Sequence, residues 1–142
     1  MTNITKRQKE VINLVAAGLL AAAAAHMGLS LLSMPRLLAA SASDLVSIIL
    51  TAIKISWCAV GFIGSAYVIY NAVSMLNAKC FNKARIAAIG ALILPLLGVN
   101  GIITAFALLP IGALAVVLLR KAEWQAAFAR QPQVVAMPEF QS

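Results

Sequence analysis

The residues that could do chemistry in this chain fall on one stripe. Asp44, Ser47, Thr51, Lys54, Cys58, Gly61 and Ser65 recur at alternating steps of three and four, which sets them on one face of an α-helix. Ile, Leu, Val and Phe fill the other faces, so the stripe faces protein or water and not lipid. Two uses compete for it. It lines a substrate or ion path with Lys54 as the charged element, or it is a packing surface on which Gly61 and Ser65 let backbones approach while Lys54 snorkels. His26 is a second candidate: an imidazole inside a span can titrate, pair with Asp44 or hydrogen-bond a neighbouring helix.

The other ingredients of catalysis are scarce. The acids are Glu10, Asp44, Glu123 and Glu139, and His26 is the only histidine. Cys58 and Cys80 are 22 residues apart, about 33 Å along a single helix, whereas a disulfide needs Cα atoms about 6 Å apart. Both read as free thiols. No phosphate-cradling Walker loop, HExxH, nucleophile elbow or CxxCH occurs. An enzyme would have to be built from His26 or Cys58 acting with Asp44 or Lys54, the weakest of the available function classes, and neither a metal nor a cofactor is expected.

The elements that must hold these residues are membrane helices. The 142 residues are 63% hydrophobic and 11% charged, a balance that a soluble domain of this size could not solvate. From Ile86 to Leu119 the chain runs 34 residues without a charge, about 51 Å as one helix against a hydrocarbon core of about 30 Å. It must fold back, and Gly98-Val99-Asn100-Gly101 is the turn signal. Pro95 and Pro110 are expected to kink the two arms. The net charge of +7 is collected in short segments beside apolar runs, the pattern of topology and lipid headgroups, and no solvated basic and aromatic face suits nucleic acid.

The expected fold is therefore an all-α four-transmembrane-helix bundle in a single domain, 1–142, with the last two spans as a helical hairpin. The spans fall at about 11–32, 55–76, 84–98 and 102–119. Ser33-Met34-Pro35-Arg36 is expected to break the first. The segment 37–53 leads into the second, either along the surface or as a helical extension beyond the bilayer, with Lys54 and Trp57 near one interface and Tyr67, Tyr70 and Asn71 near the other. The basic start followed by Val11 to Ala25 resembles a signal peptide, but the apolar stretch continues to Met34, which suits a retained span.

Basic residues set the orientation. Lys6, Arg7 and Lys9 open the chain, Lys79, Lys83 and Arg85 fill the second loop, and Arg120, Lys121 and Arg130 follow the last span, whereas the first loop has only Arg36. With four spans both termini are cytoplasmic; three spans would leave one basic cluster outside. Lys79, Lys83, Arg85, Arg120, Lys121 and Trp124 are the expected headgroup and interface residues. Trp124 and Phe128, four apart, mark 120–131 as an amphipathic cytoplasmic extension that Pro132 ends, and 132–142 reads as a mobile tail.

The residues Met75, Pro95, Leu109-Pro110-Ile111-Gly112, Ala115-Val116-Val117-Leu118, Glu123 and Ala127-Phe128 give the stretch from Tyr67 to Phe128 a pattern. It resembles one that recurs in small, uncharacterised bacterial membrane proteins, covering under half of the chain. Ala113-Leu114 stands where an aromatic is common there, and Lys121-Ala122 where arginine-proline is common. The resemblance implies a multi-span helical protein with a cytoplasmic C-terminus and no known activity. Together these readings point to a non-catalytic accessory or structural subunit of an inner-membrane assembly. Its expected partners are the lipid bilayer and other membrane subunits or itself, with no nucleic acid. The alternative is a small transporter, channel or holin-like pore formed by oligomerisation.

Overall fold

A computed structural model describes residues 2–39 and 43–129. Five α-helices follow in order: α1 (Thr2–Ala39), α2 (Leu45–Val73), α3 (Phe81–Ile93), α4 (Gly101–Arg120) and α5 (Ala122–Ala129). Single 3-10 turns at Leu76–Ala78 and Leu94–Leu96 join α2 to α3 and end α3. Among the described residues there is no strand, and α1, α2 and α4 are each long and apolar enough to cross a membrane. α3, with 13 residues, is not.

The helices meet along stripes of small residues. On α1 the buried positions are Ile12, Val15, Ala16, Leu19, Ala22, Ala23, His26 and Ser30, repeating at three and four. α2 answers with Cys58, Gly61, Ser65, Val68 and Ala72. α3 buries Ala84, Ala87, Ala88 and Ala91, and α4 buries Thr104, Leu108, Gly112, Ala115 and Leu119. In lipid the tails are as apolar as the side chains, so close van der Waals contact between thin helix faces does much of the holding. Large side chains point outward instead: Ile102, Ile103 and Phe106 on α4 are exposed, as befits a lipid-facing surface.

Several expectations change here. α1 does not break at Ser33-Met34-Pro35-Arg36 but runs through Pro35 to Ala39. Proline removes only its own backbone donor from the helix, and the Ser33 hydroxyl donates to the Leu29 carbonyl at 2.8 Å just before it. Of the two readings of 37–53, helical extension describes Leu45 to Ile53, the first nine residues of α2, whereas Leu37 to Ala39 belong to α1. Pro95 sits in a 3-10 turn that ends α3, and Pro110 lies inside α4. α5 packs its apolar face on the bundle. Ala127 and Phe128 are buried, and the Phe128 ring meets Phe81 edge-on at 5.7 Å. Arg130, Pro132, Glu139 and the expected tail lie outside the described residues.

Candidate functional site

Four buried polar side chains, His26, Ser30, Ser65 and Thr104, lie near the turn between α3 and α4. His26 is fully buried on α1, and its Nδ1 lies 3.0 Å from the Ser65 Oγ of α2, also fully buried. The Ser65 hydroxyl donates back along its own helix to the Gly61 carbonyl at 2.8 Å. The imidazole tautomer sets which of Nδ1 and the hydroxyl donates to the other.

One turn along α2, Gly61 receives the turn itself. A Cβ there would sit 3.0 Å from the Leu97 carbonyl oxygen and 3.2 Å from the Gly98 Cα, so only glycine allows this approach of backbone to backbone. Gly98 has φ +92°, the left-handed region. Its face is turned to the His26 ring and the Ser30 hydroxyl, each 3.5 Å from where a Cβ would stand. Asn100 completes the junction: its Nδ2 donates to the Ser33 Oγ at 2.7 Å and to the Leu29 carbonyl at 3.0 Å. The irregular stretch 97–100 thus rests on α1 and α2, with Leu97, Gly98 and Asn100 partly buried and Val99 exposed. His26 Nε2 and Ser30 Oγ are buried with no hydrogen-bond partner among the described residues.

The α2 stripe is divided by this junction. Cys58, Gly61 and Ser65 are buried in it, Ser47 and Thr51 are half-buried, and Asp44 and Lys54 are exposed. Asp44 precedes the first residue of α2, about 31 Å along the helix from Ser65, so it does not pair with His26. Cys58 and Lys54 are one turn apart on the same stripe, and Cys58 is buried while Lys54 is exposed. Cys58 and Cys80 are both free thiols. No group of three or more metal-ligating residues occurs among the described residues.

Ser30, Ser33 and Asn100 belong to the junction without having been singled out as site residues. His26, Ser30 and Ser33 repeat at four and three, so the rule applied to α2 would have marked a matching stripe on α1. Asn100 reads in sequence only as a turn former.

The expected interface residues gather at the other end. Lys83 Nζ donates to the Tyr70 hydroxyl at 3.3 Å and lies 4.8 Å from that ring's centroid. Arg85 and Arg120 line one cavity, Lys79 and Lys121 are exposed, and Trp124 is half-buried against the core. No family model, no curated protein and no solved structure matches this chain, so its function is argued from these residues alone.

Proposed function

We propose that the protein is a four-span, non-catalytic subunit of a larger assembly in a bacterial inner membrane, with both termini cytoplasmic. The observation that carries this reading is the exposed apolar surface at the start of α2. Sixteen residues, Leu45 to Val60, precede the Gly61 that meets the turn, about 24 Å of helix on which only Cys58 is buried. Leu45, Val46, Ile48, Ile49, Leu50 and Ile53 there are each at least half exposed. Apolar surface of that extent, beyond a bundle already as thick as a hydrocarbon core, calls for a protein neighbour.

The four-span topology is supported by the level of α3. Arg85 at its start and Arg120 at the end of α4 line the same cavity, and the two helices join at Asn100. α3 and its 3-10 turn rise about 25 Å, which the snorkelling of Lys83 and Arg85 extends toward the roughly 30 Å of a bilayer core. The burial of Cys58, Gly61 and Ser65 against the turn supports packing as the use of the stripe within one copy.

The test is a photo-crosslinking residue at Ile49, compared with one at Ile86 on the outer face of α3. The expected result is a discrete protein adduct from Ile49 and only lipid products from Ile86. Lipid products alone from both positions would remove the reason for calling the chain a subunit.

A further inference from the structure

We propose that the cavity between α3, α4 and α5 at the basic end of the bundle is a binding site for an anionic phospholipid. Its volume is about 330 Å³, within the range of about 300–1,000 Å³ of small-molecule sites. Two helices build it with the same plan. On α3, Arg85, Ala88 and Leu92 follow at three and four along one face; on α4, Leu119 and Arg120 stand three and four residues after Val116, with the arginine at the opposite end of the run. Each helix therefore gives an apolar wall that ends in a guanidinium, and the two guanidinium groups are at the same mouth.

That arrangement has the shape of an amphiphile. The walls run about 10 Å along α3 from Arg85 to Leu92, toward the bilayer interior, and suit the first part of an acyl chain. The mouth suits a phosphate, since a guanidinium offers a planar fork of donors to its oxygens. Gln125 of α5 adds a side chain there while its Nε2 donates to the Leu119 carbonyl at 3.1 Å. No carboxylate lines the cavity, so its charge is of one sign. A basic pocket between helices near a membrane surface is a recurring way of holding such headgroups. The site holds whether or not the projecting part of α2 has a partner.

Free phosphate shares the headgroup chemistry, and the experiment separates the two. The full chain in detergent micelles is titrated with phosphatidylglycerol, with phosphatidylcholine or with inorganic phosphate, and retained adducts are read by native mass spectrometry. Phosphatidylglycerol is expected to be retained over phosphatidylcholine. The double substitution Arg85→Gln/Arg120→Gln should weaken that binding about thirtyfold, a factor of about five for each cation. Val116→Phe, which narrows the apolar wall and leaves the charge alone, should weaken it as well. Arg36→Gln, a cation at the opposite end of the molecule, should not. Equal retention of the two lipids, unchanged binding in the double variant, an equal loss in Arg36→Gln, or displacement of the lipid by equimolar inorganic phosphate would each overturn the proposal.

Discussion

His26 Nδ1 meets Ser65 Oγ at 3.0 Å, and the same hydroxyl lies 2.8 Å from the Gly61 carbonyl. This bond ties α1 to α2 at the level where the α3–α4 turn enters. Interhelical hydrogen bonds in membranes average about 0.6 kcal/mol and reach about 1.7 kcal/mol. A double-mutant cycle of His26→Leu and Ser65→Ala, read by unfolding in denaturing detergent, is expected to give a favourable coupling in that range. Additive losses would mean that the two side chains act separately.

Ser30 gives a prediction of the opposite sign. Its hydroxyl is buried with no partner among the described residues, and an unpaired buried hydroxyl costs about 1–3 kcal/mol. Ser30→Ala should leave stability unchanged or raise it by about 1 kcal/mol in the same unfolding measurement. A loss above about 1 kcal/mol would show that the hydroxyl has a partner in the membrane.

The turn is held by contact on two sides. Gly61→Val would drive side-chain atoms into the Leu97 carbonyl and the Gly98 backbone, and overpacking of this kind costs about 1–3 kcal/mol. Asn100→Leu would forfeit both bonds to α1 and is expected to cost about 1 kcal/mol. Both variants should increase hydrogen exchange at 97–100 before that of α1. Wild-type exchange in both would place the turn away from α1 and α2.

The two-sided hairpin was legible because its signals are local. The length of the uncharged run, Pro95 and the residues from Gly98 to Gly101 require a reversal there whatever surrounds it. The alternation of three and four on α2 was equally plain, and it located Cys58, Gly61 and Ser65 on one face. What met that face was not readable. Asn100 reaches Leu29 across 71 residues of sequence, and a turn former with a spare amide looks the same whether it faces solvent or another helix. Pro35 does not stop α1, because it removes only its own donor and the helix runs on to Ala39. For α5 the pair Trp124 and Phe128 announced an apolar face, but the docking of Phe128 on Phe81 depends on how α3 starts.

The pore alternative has a direct readout. With Cys58, Gly61 and Ser65 packed inside one copy, liposomes containing the purified protein are expected to hold a small fluorescent dye as tightly as empty ones. A leak that Lys54→Leu abolishes would move the reading to a pore formed by several copies.

The four-span topology rests on α3 crossing the membrane, and thiol labelling tests that crossing. Cys80, half-exposed just before α3, and Val99, exposed in the turn after it, bracket the helix; Cys58 is fully buried. The measurement compares wild type with Cys80→Ser/Val99→Cys, using a membrane-impermeant maleimide on intact spheroplasts and on inverted vesicles. Cys80 is expected to be labelled only in inverted vesicles, and the introduced cysteine at 99 only in spheroplasts. Labelling of both positions from the same side would contradict it, leaving α3 as a helix that enters and leaves by one face.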